Sequence, residues 1–473
     1  MRISKNKISL LIGPLIFCIC YFFLPQSVFS QMSARAAVGT VAWMAFWWIM
    51  SPVDYAVTAF LPIAVNALIQ IIPMESVIAN YASETILLLL GASILTVSWE
   101  ETGLDKRIAS KFHEIVGDDL RKQVVLWFLI SASLSAVLPN TVVCATITPI
   151  AVAMLKYAGE GDISKSKSGS KILITIVYAT GVGGLISPLG GAMNLVAVDY
   201  IQKVTGEEFF YISWVIKLLP VSVVLVVSNI LFLLRDIKKG TKIGKVEKYF
   251  EKQKDITSKM SSEEIWSLML FFLGTFLAFA RPLYQSVLPG LKPAYVFLIC
   301  SILAFLITKK DGKRLMIWKN VQKKIIWDLM YIFAGGLAAG SLINGSGAAK
   351  DIGKYVASIG LKGGFVTVAI IIFITIILSD VTSNTATAAV TIPVVISIVS
   401  GVGVNPLPYI FIASIGVNLS YMFPTSIRAI PVGYGLQPKY LFKEGRKVTI
   451  IVWMLTTVIA FLLLKFWPFF SVA

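Results

Sequence analysis

Charge is scarce in this chain. Only 14% of its 473 residues are Asp, Glu, Lys or Arg, while 57% are hydrophobic. A soluble chain carries about a quarter charged residues, so a water-exposed globule is excluded; mean hydropathy is +0.81. Histidine is nearly missing. The single His113 lies in a charged segment, which leaves no basis for a histidine metal site or a histidine proton relay. Cysteine is sparse too. Cys18, Cys20, Cys144 and Cys300 all sit in apolar segments, match no metal-ligand spacing and suggest no disulfide framework. They read as small core hydrophobes. No apolar span holds a cluster of Asp, Glu and His or a nucleophile beside a base, which argues against an integral-membrane enzyme. No catalytic residue and no firm metal site are therefore expected.

What the chain has is length in apolar runs. Several windows hold ~17 or more apolar residues without strong charge, the signature of a polytopic helical membrane protein. Candidate spans cover roughly 8–24, 36–50, 54–73, 82–100, 171–205 (interrupted), 213–234, 263–280, 293–308, 326–345, 406–437 (interrupted) and 443–468, with apolar hairpins at 123–157 and 363–399. Basic Arg2, Lys5 and Lys7 precede the first run, which reads as a retained first helix rather than a cleaved signal. If both hairpins are re-entrant and the N-terminus is cytoplasmic, about eleven spans result and the C-terminus is extracellular. The cytoplasmic segments then hold 32 of the 42 Lys and Arg, and the outer ones nine. That asymmetry fits the positive-inside rule. It also accounts for the net charge of +17 without nucleic acid. The basic stretch 235–262 reads as an ordinary cytoplasmic loop; binding of anionic lipid or a regulator there is the alternative.

This loop separates two similar halves. Leu87–Gly103 and Leu329–Gly347 are both apolar runs rich in small residues and closed by glycine. From Gly103 to Asn140 is 37 residues, as from Gly347 to Asn384; Glu84 and Asp328 each lie 19 residues before those glycines. Both Asn residues are followed by Thr. The halves start on opposite sides of the membrane, which predicts an inverted repeat with a binding site near the midplane at the repeat interface.

Four polar breaks punctuate the repeat. The hairpins turn at Leu138-Pro139-Asn140-Thr141 and Thr382-Ser383-Asn384-Thr385. The interrupted spans contain Gly181–Asn194, which holds five glycines and a proline, and Asn418–Pro431. Glycine and proline at that density predict an irregular segment over Gly181–Asn194. In hydrocarbon an unsatisfied backbone group has no partner, so such breaks are costly unless they line a cavity. Helix N-termini there offer N–H groups and positive dipole to an anion, Asn, Ser and Thr add side-chain donors, and broken-helix carbonyls can instead ligate a cation. Glycine-proline kinks at tight helix contacts are the plainer alternative.

Ser383-Asn384-Thr385, followed by Ala386-Thr387-Ala388-Ala389, resembles the hairpin signature of the divalent anion/sodium symporter family, the INDY-type di- and tricarboxylate transporters. Asn140-Thr141 is similar to its first-half copy. Gly183-Gly184, Ser187-Pro188 and Asn194 resemble the glycine-rich break that follows, and Trp47-Trp48 with Val57–Pro62 an early family segment. The similarity runs from about residue 36 to the end. It implies an all-α elevator-type transporter with a dimerising scaffold and a mobile transport domain in an inverted repeat. Residues 1–35 would form the N-terminal helix and its connection. The scaffold would comprise 36–122, 206–262, 263–362 and 438–473; the transport parts would be 123–205 and 363–437. The implied substrates are carboxylates such as 2-oxoglutarate, succinate, malate, fumarate or citrate. Candidate substrate-binding residues are Asn140, Thr141, Ser187, Pro188, Ser383, Asn384, Thr385, Pro424, Thr425, Ser426 and Arg428.

Two departures shape the functional expectation. Pro139 stands where the first tip's serine is expected, leaving Ser135, Asn140 and Gly184 as residual sodium-site candidates. After Pro424, the family's Thr-Pro-Pro-Asn is replaced by Ile427-Arg428-Ala429-Ile430. A charge at membrane depth costs at least ~2.5 kcal/mol and is a functional candidate by default. Arg428 stands where the second sodium site is expected. It can supply a fixed positive charge, pair a carboxylate bidentately, neutralise Asp380, or snorkel to the cytoplasmic face. The expected activity is sodium-independent exchange of carboxylates by a homodimer in the cell membrane, with no cofactor. The alternatives are a sodium-coupled symporter and an inorganic oxyanion transporter on the same fold.

Overall fold

A computed structural model describes residues 5–104, 107, 118–160, 162–243, 260–309, 312–325, 327–358 and 363–472. His113 and most of the basic loop, 244–259, lie outside these. Every regular element among the described residues is helical. The order is α1 (Lys5–Phe23), α2 (Met32–Met50), α3 (Leu61–Ile69), α4 (Glu84–Thr102), the first hairpin α5 (Leu120–Ser135) and α6 (Asn140–Tyr157), and the first broken helix α7 (Lys167–Ile186) and α8 (Ala192–Thr205). Then come α9 (Tyr211–Leu234), α10 (Ser262–Phe279), α11 (Pro293–Ala304), α12 (Trp327–Gly345) and α13 (Ala348–Ser358). The second hairpin, α14 (Phe365–Val381) and α15 (Asn384–Gly401), is followed by α16 (Leu407–Asn418) and α17 (Pro438–Phe466).

Six helices among the described residues are long and apolar enough to cross a membrane: Met74–Thr102, Lys167–Ile186, Tyr211–Leu234, Ser262–Phe279, Asn384–Gly401 and Pro438–Phe466. Shorter apolar helical stretches include Ile8–Phe23, Tyr55–Ile69 (with a break after Thr58), Asn140–Lys156, Pro293–Ala304, Phe365–Val381 and Leu407–Asn418. Burial separates the long ones. The apolar window of α7 is 94% buried, whereas that of α17 is 33% buried. A helix apolar all round and enclosed by protein is a core helix. In α9 the exposed stripe Leu219, Val223, Val227 and Leu231 recurs every fourth residue, the face such a helix turns to lipid.

The repeat is realised in register. α4 and α12 begin at or beside Glu84 and Asp328, and Gly103 and Gly347 take left-handed φ values of 76° and 81°. A Cβ would strain that backbone, which is why glycine ends both runs. Two expectations are corrected. The irregular segment placed over Gly181–Asn194 shrinks: α7 stays helical through Gly181, Gly183 and Gly184 to Ile186, and the break is confined to residues 187–191. Gly183 serves contact instead. A Cβ on Gly183 would overlap the backbone of Ala132, so α7 and α5 approach as closely as backbones can. The expected single span 54–73 is two pieces, Tyr55–Thr58 and Leu61–Ile69, the second ended by Gln70 at φ 55°.

Packing groups the helices. The hairpins and broken helices pack on one another, and α9 and α17, expected in the scaffold, lie chiefly against α7, α14 and each other. α1 packs with α2, and α4 with α10 and α11; α12 touches both α2 and α4. α12 meets the first group along α15.

Candidate functional site

The second tip is a helix N-terminus held by side chains. α14 ends at Val381, and Ser383 caps α15, its Oγ accepting from Ala386 N at 3.1 Å. Such a cap satisfies one of the free N–H groups of the first turn. Asn384 follows, 3% exposed. Its Oδ1 accepts from Ser420 Oγ at 3.3 Å and lies 3.0 Å from Ser379 Oγ, whose shorter contact, 2.6 Å, is with Val417 O. With the oxygen on the side of the two hydroxyls, Nδ2 is turned elsewhere, buried and without a protein partner. It is a pre-oriented donor beside the free amides of a helix start, an arrangement that suits an anion. Thr385 is buried on the next position.

The first tip repeats the frame and loses one part. Ser135 precedes Asn140 by five residues, as Ser379 precedes Asn384. Ser135 Oγ donates to Thr180 O at 2.8 Å; Ser379 Oγ donates to Val417 O at 2.6 Å. Ser187 Oγ donates to Ala136 O, and Thr425 Oγ1 donates to Asp380 O at 2.7 Å. In each half, one hydroxyl from the hairpin and one from the break therefore tie the two together. The cap differs: Pro139 occupies the position of Ser383 and supplies no side-chain cap. Asn140 is 6% exposed, and Thr141 Oγ1 lies 3.4 Å from its Oδ1. Pro188 opens the short 3-10 turn Pro188–Gly190.

Arg428 is fully buried, and its donors are all engaged by protein. Nε donates to Phe423 O at 2.7 Å. Nη1 donates to Ser420 Oγ and, at 3.3 Å, to Ser420 O. Nη2 reaches Thr425 Oγ1 at 2.7 Å, Ser379 O at 3.2 Å and Asp380 O at 3.3 Å. Asp380 lies 3.7 Å from Nε and accepts from Tyr421 N and Met422 N, both at 2.8 Å, through the same Oδ1. The guanidinium thus sits in a cage of carbonyl, hydroxyl and carboxylate oxygens drawn from the second tip and the second break. Snorkelling to an aqueous face does not occur, and no N–H remains in this arrangement to meet a solute carboxylate. Pro424 and Ser426 are exposed on the loop, Ser426 with φ 51°.

The halves meet at two asparagines. Asn194 Nδ2 donates to Gly184 O at 2.5 Å and Ser187 O at 2.8 Å; Asn418 Nδ2 donates to Asn194 Oδ1 at 2.9 Å and Ser414 O at 2.8 Å. The sequence named both residues as parts of breaks but gave them no role. The roles of Ser379 and Ser420 were missed. Ser379 had a signal, its equivalence to Ser135; Ser420 had none, because its partner lies on another element.

Each hairpin also borders a cleft. One, about 390 Å³, lies between α4 (Thr96, Trp99, Glu100) and the first hairpin at Leu134, Leu138, Val142, Val143, Thr146 and Ile147. The other, about 290 Å³, lies between α2 (Ala45, Trp48, Ile49) and the second hairpin at Leu378, Thr382, Ala386, Thr387, Val390 and Thr391. The six hairpin positions correspond one for one, at the interval that separates Asn140 from Asn384. Both hairpins present the same face to a helix outside the first group.

The comparisons with known proteins agree with this architecture. Residues 45–416 match the model of the citrate transporter family, CitMHS. The chain is 28% identical over 478 residues to the sodium-dependent dicarboxylate transporter SdcS of Staphylococcus saprophyticus, covering 97% of this chain and 91% of the relative. It is 28% identical over 482 residues to SdcS of Staphylococcus aureus, covering 98% and 91%. Among solved structures, the YdaH transporter of Alcanivorax borkumensis aligns with TM-score 0.52 at 12% identity, over 83% of this chain and 88% of that one. MtrF of Neisseria gonorrhoeae aligns with TM-score 0.54 at 11% identity, over 96% and 97%. At such identities these two show the fold alone. It is that of a multi-pass, all-helical membrane transporter, and the family match over most of the chain places this protein in the citrate transporter family.

Proposed function

We propose that this chain is a secondary carrier of small di- and tricarboxylates that exchanges one carboxylate for another across the cell membrane without requiring sodium. The substrate class rests on the family description and on the relatives' dicarboxylate transport. Succinate, malate, fumarate, 2-oxoglutarate and citrate are its members to test. Two asparagine tips, each at a helix start, supply N–H donors for two carboxylates; Asn384 Nδ2 is the donor already free to do so.

The observation that carries the exchange reading is Arg428. Its oxygen cage has the composition of a cation site, and a guanidinium fills it. A bound sodium ion can leave; this charge cannot. Asp380 balances it formally, so the site keeps a fixed ion pair where a symporter would load and release sodium. With no coupling ion to load, the gradient of a counter-carboxylate is left as the driving force, which favours exchange. In the first half Ser135 Oγ donates to Thr180 O and Gly184 O accepts from Asn194 Nδ2, and Pro139 adds no hydroxyl beside Asn140. The hairpins and broken helices would move together along α2 and α4 as an elevator, in a homodimer with a cytoplasmic N-terminus and an extracellular C-terminus. Arg428 acts here as a fixed charge and a strut, with Asn140, Thr141, Ser187, Asn384 and Thr385 nearest the solute.

The test is counterflow in proteoliposomes loaded with one carboxylate and challenged with a labelled panel. Exchange is expected to persist at full rate when sodium is replaced by choline. A strict sodium requirement would refute it and establish the second reading, sodium-coupled symport, which the sodium-dependent relatives favour.

A further inference from the structure

Four arginines are buried among the described residues: Arg35, Arg107, Arg281 and Arg428. Three face a carboxylate. Arg107 Nε lies 2.7 Å from Glu264 Oε1, Arg281 Nε 2.8 Å from Glu208 Oε1, and Arg428 Nε 3.7 Å from Asp380 Oδ1. Arg35 is the exception. It is 6% exposed, no described carboxylate stands within ion-pair distance, and its Nε has no hydrogen-bond partner. A guanidinium stays protonated in proteins, and an uncompensated buried charge carries a penalty too large to leave standing.

Its position raises the penalty. Arg35 is the fourth residue of α2, and helical side chains lean back toward the N-terminus. The head is therefore carried toward the first turn, where amides lack intrahelical acceptors and the dipole is positive. Gln31, at the cap position, makes no side-chain cap; its Oε1 instead accepts from Ser33 Oγ at 3.4 Å. Leaning that way, the guanidinium adds its charge to the positive end of the helix, and an anion relieves both. The surroundings indicate its source. Phe22, Phe23 and Met32, which flank this end, are 63%, 78% and 48% exposed. In a membrane protein such side chains meet lipid, with headgroups just beyond.

We propose that Arg35 and the first turn of α2 form an oxyanion site, apart from the hairpin tips, that takes the phosphate of an anionic phospholipid. Two phosphate oxygens match the guanidinium fork, and a third can reach the helix amides. The site does not depend on which solute is carried.

The experiment uses the full chain in nanodiscs of phosphatidylcholine with and without phosphatidylglycerol, read by thermal unfolding and by native mass spectrometry of retained lipid. Phosphatidylglycerol is expected to raise the wild-type midpoint. Arg35→Gln should lose that increment and retain the lipid roughly fivefold less well, with Arg35→Lys in between. A parallel arm adds inorganic phosphate in neutral detergent. A phosphate-dependent rise absent from Arg35→Gln would uphold the oxyanion site and assign it a soluble occupant. Equal increments in wild type and Arg35→Gln overturn the proposal. So does a wild type that responds to neither probe and retains no anionic lipid, a result that holds even if the variant fails to fold.

Discussion

At the scale of single residues, Arg428 and Asn384 carry separate predictions. Replacing Arg428 by Ala removes the donor from six acceptors and leaves Asp380 buried without its counter-charge. A loss of about 3–5 kcal/mol is expected, read as a lowered unfolding midpoint in detergent. Adding Asp380→Asn should recover part of it, because the orphaned charge goes too; a double variant no more stable than Arg428→Ala would contradict that. The emptied cage should also let sodium stimulate uptake where wild type shows none. Asn384→Ala leaves Ser420 without its acceptor and removes the free Nδ2. A hydrogen bond to a charged group is worth about 1.5–3 kcal/mol, so KM for succinate should rise roughly 10- to 100-fold. An unchanged KM would remove Asn384 from the site. These residues were visible in the sequence for different reasons. Asn384 stood in a motif with a twin, and Arg428 was a charge in an apolar run. Its surroundings were not visible, since the six acceptors come from Ser379, Asp380, Ser420, Phe423 and Thr425 and are assembled only by folding.

At the scale of elements, the hairpins and the broken helices were legible because polar and small residues interrupt apolar arms at matched intervals. The extent of the first break was not. Glycine costs a helix roughly 0.5–1 kcal/mol per residue relative to Ala, yet α7 keeps three of them helical. At Gly183 the gain is contact with α5, which local propensity does not register. This gives a paired test. At Gly183 a new side chain would run into the Ala132 backbone; at Gly181 the nearest atom to a new Cβ is Asn418 O at an ordinary 3.5 Å. Gly183→Val should therefore cost about 1–3 kcal/mol through overpacking and depress transport, and Gly181→Ala should be nearly silent. Similar losses in thermal midpoint for both would show that helix propensity, not the α5 contact, decides this segment.

At the scale of the whole molecule, the repeat places two hairpins so that equivalent faces meet α2 and α4 across clefts. If these faces slide during transport, bridging one must stop it. In a background without Cys18 and Cys20, an Ala45→Cys, Val390→Cys pair joined by a short bifunctional thiol reagent is expected to abolish counterflow and regain it on reduction. Each single variant should stay active. Undiminished counterflow in the bridged protein would rule out motion across this cleft.

The sequence by itself determined the solvent, the repeat and the two asparagine tips. Apolar length, charge asymmetry and residue intervals are properties of order along the chain, and a lipid environment translates them directly into helices and breaks. Only the tertiary structure decided what the breaks hold. It turned the Asn384 amide by placing Ser379 and Ser420 on its oxygen, joined the halves through Asn194 and Asn418, and enclosed Arg428 in oxygens from two elements. Hydrogen bonds of this kind depend on ångström-scale approach between segments far apart in the chain, and no interval in the sequence encodes that distance.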